Sequence, residues 1–136
     1  MLSFFPGRPL VEGEFRTKLA EFLGEANIRG NRVLVIVPDD TRTLPMPAIY
    51  ETLVEVLLPK VKELAFLVAL GTHPPLTEAQ LSRHFGRRFP HPKVPVYQHS
   101  WQDSQTLVRV GTISKDRMAE ISRGLLPLEV AVEKED

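Results

Sequence analysis

The sequence contains no cysteine and only one tryptophan, and its charges cancel. Without cysteine, the chain can form no disulfide, no thiolate metal site and no cysteine nucleophile. The 17 Lys and Arg residues equal the 17 Asp and Glu residues, so no net field draws the chain to nucleic acid or to anionic lipid. A basic stripe with interleaved aromatic residues is also missing, and we therefore predict no nucleic-acid partner.

Long hydrophobic runs are absent as well. The longest, "LAFLVAL" at residues 64–70, is far too short to cross a bilayer. The N-terminal "MLSFFPGRPL" has an early Pro-Gly and no apolar segment of signal-peptide length. We therefore predict no membrane contact and take the cytoplasm as the default compartment.

The apolar residues that are present predict a layered α/β domain. Residues 11–26 show helical spacing, and Val33–Val37 are apolar without alternation, which is typical of a strand covered on both faces. A helix that has Pro47 in its first turn and a second strand at 64–70 complete a βαβ unit, whose strands are parallel. We predict a single domain over residues 1–136, with a mostly parallel sheet built from βαβ units and helices on both faces.

Further elements are predicted in the second half of the chain. They are a helix at 76–86, short strands at 93–100 and 106–111, and an edge strand at 129–136. Thr77 is the expected N-cap of the helix, and Gly86 is expected to end it. Residues 114–126 are ambiguous, although Ser114 is a suitable cap for a short helix.

Polar residues follow both strands of the βαβ unit, at the point where each strand ends. Asp39–Arg42 follow the first strand, and Gly71–His73 follow the second. Ligands of open parallel sheets bind beyond the carboxyl ends of the strands, and parallel neighbours bring these ends to one edge. We therefore expect Arg42 and His73 to face one cavity.

Each residue type in these loops has a chemical use. The guanidinium of Arg42 matches a carboxylate or phosphate at two points, and the imidazole of His73 can take or return a proton near neutral pH. Either Asp can orient one of these groups, and Thr41 and Thr72 can donate hydroxyls to an anion. The alternative is a solvated turn, in which an Asp caps the next helix and Arg42 pairs locally.

The remaining histidines carry less weight. His84 and His91 are expected to face solvent, whereas His99 lies near Trp101 and Asp103 in a segment with an expected structural role. Since no spacing typical of metal ligands occurs, we predict no protein-only metal site. Glycine-rich phosphate loops and nucleophile elbows are absent too.

Three segments resemble the N-terminal domain of the lactate racemase family. They are "VIVPDDTRTLP" (35–45), "FLVALGTHPPLTEAQL" (66–81) and "YQHSWQDSQTLVRVGTI" (97–113). Members of that family are isomerases that interconvert the configurations of a 2-hydroxy acid. They use a nickel-pincer nucleotide, which takes a hydride from the substrate and returns it. The protein orients and polarises the substrate.

The resemblance implies roles for five residues. Arg42 would bind the substrate carboxylate, His73 would be one of two acid–base imidazoles, and Asp39 would support them. Thr41 and Thr72 would contact the cofactor.

The sequence also departs from the family pattern. It lacks a "PH…GxSGGxK" segment, which carries the second histidine and the lysine that holds the cofactor, and it lacks a C-terminal domain. We therefore expect a truncated domain that does not bind the cofactor or racemise lactate alone. Alternatives are a non-catalytic module that binds small anions or nucleotides, and a scaffold domain. Because truncation exposes a sheet edge, a homo-oligomer through that edge is also expected.

Overall fold

The computed structural model describes residues 11–26 and 28–135. Helices and strands alternate through most of this range. In chain order they are α1 (Glu12–Glu25), β1 (Arg32–Pro38), α2 (Met46–Leu57), β2 (Glu63–Ala69), α3 (Glu78–Phe85), β3 (Val96–Gln98), a 3₁₀ turn (Ser104–Thr106), β4 (Leu107–Ile113), α4 (Lys115–Ile121) and β5 (Val130–Glu135). Within the described ranges, no helix combines the length and the apolar character needed to cross a membrane.

The chain divides into two compact units. The first comprises Met1–Leu70 with Pro74–Gln98, and the second comprises Gly71–His73 with His99–Asp136. A single domain over residues 1–136 therefore stays a prediction.

The first unit is built on a parallel sheet with the order β1-β2-β3. Arg32 lies opposite Glu63 at one end of the β1–β2 pair, and Pro38 lies opposite Ala69 at the other. The β2–β3 pair is also parallel, with Phe66 opposite Val96. The predicted α/β class with a parallel sheet of βαβ units is thus confirmed.

The core of this unit lies on one face of the sheet. Leu64, Phe66 and Val68 alternate along β2 with less buried residues, and each is at most 1% exposed. Helices α1, α2 and α3 all pack onto this same face and contribute Leu23, Tyr50, Leu53, Val54, Leu57 and Phe85 to the core. Full burial of one such side chain contributes about 1.5–3 kcal/mol to stability.

The opposite face of the sheet is exposed. Leu34 and Ile36 of β1 are 54% and 66% exposed, and Tyr97 of β3 is 57% exposed. Among the described residues, the prediction that β1 is covered on both faces is therefore wrong, because the helices of this unit, α1, α2 and α3, pack on the other face. Since the strand order follows the chain order and both crossovers share one hand, each connecting helix falls on the same side.

The second unit contains an antiparallel pair and a short helix. Strands β4 and β5 pair from Leu107–Glu135 to Ile113–Val130, with an irregularity between Arg109 and Gly111. The hydroxyl of Ser114 accepts a hydrogen bond from the Arg117 amide, so the suggested cap of α4 is confirmed.

Candidate functional site at the carboxyl edge of the sheet

The carboxyl ends of β1 and β2 lie side by side. Pro38 and Ala69 are opposed as the last residues of their strands. Asp39 and Leu70 are therefore the first residues to leave the sheet, and they leave at the same edge. This register confirms the prediction that the two strands are parallel neighbours whose carboxyl ends lie at one edge of the sheet.

Asp39 shapes the loop that follows β1. Its side chain is buried, and its Oδ1 accepts hydrogen bonds from the Thr41 amide (3.2 Å) and the Thr41 hydroxyl (2.5 Å). The Arg42 amide approaches the Asp39 carbonyl at 3.5 Å. A carboxylate that binds the backbone two residues ahead is an Asx turn, which fixes the direction of the chain. The loop is thus organised by a buried acid.

This turn does not cap the following helix. Helix α2 begins after Pro45, whose side chain makes no cap hydrogen bond. The alternative in which an Asp of the loop caps this helix is therefore wrong. Arg42 lies three residues after Asp39 with an exposed side chain, which leaves its planar fork accessible to an anion from solvent.

The loop after β2 is anchored at its far end by Gln98. The Leu76 amide donates to Gln98 Oε1 at 2.6 Å, and Gln98 Nε2 donates to the Leu76 carbonyl at 3.0 Å. Thr72 and His73 lie in this loop with exposed side chains, and Gly71 has a φ of +60° that favours glycine. Gln98 is not among the predicted site residues, although a polar residue at the end of a short strand is a signal in the sequence.

These contacts bring together some of the predicted residues. Asp39 and Thr41 are in direct contact, and Arg42 follows them in the same loop. Thr72 and His73 follow the neighbouring strand and group with the second unit. A cavity shared by Arg42 and His73 stays a prediction.

Helix α3 contacts the loop after β1 through two side chains. His84 is 8% exposed, and its Nε2 lies 3.0 Å from the Pro38 carbonyl oxygen. Gln80 Nε2 lies 3.5 Å from Asp40 Oδ2. The expectation that His84 faces solvent is wrong, because residues four apart share a helix face and this face packs on the end of β1. The spacing of Gln80 and His84 was the signal available in the sequence.

The described part of the chain contains no cluster of side chains that could bind a metal ion. Within residues 11–26 and 28–135, no group of three His, Asp or Glu side chains is arranged to hold a metal ion. The hydroxyl of Thr41 donates its proton in the hydrogen bond to Asp39. Thr41 can therefore only accept a hydrogen bond in a further contact.

The fold and the loops define a class of protein: an α/β domain whose parallel strands direct polar loops to one sheet edge, where such sheets bind ligands. A family model described as the lactate racemase N-terminal domain matches residues 17–132. The chain therefore belongs to the lactate racemase N-terminal domain family.

A solved structure supports the same fold. It is the crystal structure of a Thermotoga maritima protein determined by a structural genomics consortium, with a TM-score of 0.82 and 24% sequence identity. The match covers 97% of this chain, which spans 31% of the length of that chain. No curated protein matches the sequence.

Proposed function

We propose that this lactate racemase-like domain takes part in the racemisation or epimerisation of a 2-hydroxy acid. Within that reaction it supplies an arginine for the substrate carboxylate and one acid–base histidine. The proposal is supported above all by the register of β1 and β2, which starts the two polar loops at one sheet edge. Membership of the family supports the class of substrate.

Arg42 is the proposed carboxylate-binding residue. Its guanidinium offers parallel N–H donors that suit both oxygens of a carboxylate. The Asx turn of Asp39 and Thr41 holds the backbone just before it. Asp39 therefore acts as a support for the binding residue rather than as a contact to substrate.

His73 is the proposed acid–base residue. The substrate hydroxyl must lose its proton when the carbinol carbon loses a hydride, and it must regain that proton when the hydride returns. An imidazole can accept and return this proton near neutral pH. His73 follows β2 in the loop and has an exposed side chain.

The cofactor proposed for the reaction is the nickel-pincer nucleotide, which when bound supplies the hydride acceptor. The residues of this chain suit its organic part better than its metal, because the described residues hold no three-ligand cluster. Thr72 is the proposed hydroxyl donor to the nucleotide. Thr41 fits as an acceptor, since its proton is given to Asp39.

A calorimetric titration tests the role of Arg42. Replacement of Arg42 by Ala is expected to weaken binding of D- and L-lactate by roughly tenfold or more, because charge-assisted hydrogen bonds are lost. Arg29→Ala is the matched control, since this exposed arginine precedes β1 and lies at the opposite edge of the sheet. Equal affinities for wild type and Arg42→Ala would contradict the proposal.

The second candidate function is a non-catalytic module for small anions or nucleotides. Arg42 is exposed and follows the turn formed by Asp39, and its guanidinium can also bind a phosphate. A parallel titration with nicotinic acid mononucleotide separates the two. Binding of this nucleotide without Arg42-dependent binding of lactate would favour the module.

A further inference from the structure

We infer that helix α3 holds the loop 39–45 in place and that His84 is its main positioning residue. The inference goes beyond the proposed function because it concerns a helix to which no role in the site is assigned. It rests on the proposed function only for its effect on lactate binding. Three contacts carry it, at successive positions along α3 and its C-terminal end.

The first contact fixes the start of the loop. His84 Nε2 lies 3.0 Å from the carbonyl oxygen of Pro38, the last residue of β1. A carbonyl only accepts, so Nε2 must carry the proton. The contact therefore requires the form of the ring that has a proton on Nε2.

The surroundings of His84 restrict its ring. The side chain is 8% exposed, and the ring meets the ring of Phe85 edge-on at 5.1 Å between centroids. Phe85 is itself fully buried in the core. Core packing thus holds the His84 ring in place, so that its Nε2 can fix the position of the Pro38 carbonyl at the end of β1.

The second contact reaches Asp40, the second residue of the loop. Gln80 Oε1 accepts from the amide (2.9 Å) and hydroxyl (2.8 Å) of Thr77, the N-cap of α3. This pairing orients the amide group, so that its Nε2 points to Asp40 Oδ2 at 3.5 Å. The cap of the helix and its contact with the loop thus use one side chain.

The third contact lies just beyond the loop. A Cβ on Gly86, which follows α3, would stand 2.7 Å from Cβ of Pro47 in the first turn of α2. The end of α3 is therefore packed directly against Pro47, which follows the loop at the start of α2. Contacts at Pro38, Asp40 and Pro47 mean that one helix supports the loop before, within and after the segment that carries Arg42.

Amide hydrogen exchange measured by NMR tests this inference. His84→Leu removes the donor and is expected to speed exchange at Thr41 and Arg42 by roughly three- to tenfold, the effect of one net hydrogen bond. His84→Gln keeps an N–H donor and is expected to restore most of the protection. Arg83→Leu, at an exposed position on the same helix, is the matched control and is expected to change neither amide.

The outcomes separate this inference from the proposed function. Unchanged exchange in a folded His84→Leu protein overturns the positioning role, even if Arg42→Ala weakens lactate binding. Faster exchange with no effect of Arg42→Ala on lactate supports the positioning role and removes the carboxylate role.

A measurement on the unaltered protein covers the case in which His84→Leu does not fold. Nitrogen-15 spectra of the imidazole rings are expected to show the His84 proton on Nε2, in slow exchange with water. A neutral ring with its proton on Nδ1 would overturn the inference.

Discussion

At the scale of single residues, Tyr50 places a polar hydroxyl group within the hydrophobic core. It is 0% exposed, and its ring lies 4.9 Å from Phe66 and 5.1 Å from Phe85. Its hydroxyl has no hydrogen-bond partner among the described residues. Burial raises the pKa of this phenol above its usual 10.0, and the nearby backbone of His91 only partly offsets that rise without forming a well-aligned hydrogen bond.

The raised pKa of Tyr50 predicts a loss of stability at alkaline pH. The unfolded chain releases the phenolic proton near pH 10, whereas the folded chain keeps it, so the free energy of unfolding is retained below pH 10 and falls above it. Tyr50→Phe is expected to reduce this fall. Below pH 10 it is expected to change stability by less than about 1 kcal/mol, because the lost hydroxyl has no partner.

Urea unfolding at a series of pH values between 8 and 11.5 checks this prediction. Tyr97→Phe is the control, since Tyr97 is 57% exposed and its hydroxyl meets water in both states. Identical alkaline slopes for Tyr50→Phe and wild type would contradict the assignment.

The predictability of the site also differs from residue to residue. Asp39, Arg42 and His73 stand out in the sequence because polar groups directly after apolar strands have few structural roles. The contacts of His84 and Gln98 are harder to predict, because their partners are backbone groups of Pro38 and Leu76, which lie 46 and 22 residues away in the sequence. Local patterns mark the two side chains but do not identify these partners.

At the scale of elements, the end of α3 depends on a glycine that no other residue can replace without strain. Gly86 has a φ of +82° and an added Cβ would overlap Pro47. Gly86→Ala is therefore expected to destabilise the protein by about 2 kcal/mol, from the positive φ and the overlap together.

A second glycine provides the matched control. Gly24 lies within α1, and a Cβ added there meets no atom within 4 Å. Gly24→Ala is therefore expected to stabilise the protein by about 0.5–1 kcal/mol. Thermal unfolding of both variants checks the pair, and a shift of the same sign in both would refute the account of Gly86.

Some elements were predicted well because their signals are local. The cap of α3 at Thr77 and its end at Gly86 were both found from residue types alone, and both are confirmed. The burial of β1 was not predicted correctly, because an apolar run does not reveal on which side of the sheet the helices lie. That depends on the strand order, which is set by contacts distant in sequence.

At the scale of the whole molecule, the bare face of the sheet predicts self-association. Leu34, Ile36 and Tyr97 are large apolar side chains exposed on one surface, and contiguous surfaces of this kind mark interaction sites or aggregation. Ile36→Glu is expected to shift the protein toward the monomer, with a change in stability below about 1 kcal/mol. Sedimentation velocity over a range of concentrations checks this.

The control for this prediction changes an apolar residue outside the sheet. Phe22 on α1 is 46% exposed, and Phe22→Glu is expected to leave the association unchanged. A strictly monomeric wild-type protein at high concentration would contradict the prediction, and so would an equal effect of both substitutions.

The order of the strands has a consequence for protein engineering. A grafted strand placed beside β3 by another right-handed crossover adds its helix to the side that is already crowded. A strand led back to the outer edge of β1, which pairs with no other strand among the described residues, carries its connecting helix over Leu34 and Ile36 instead. The direction in which the crossovers add strands to the sheet then reverses at the end of β1, beside Asp39. Parallel sheets form a ligand-binding crevice at such a point, and here it would lie next to Arg42.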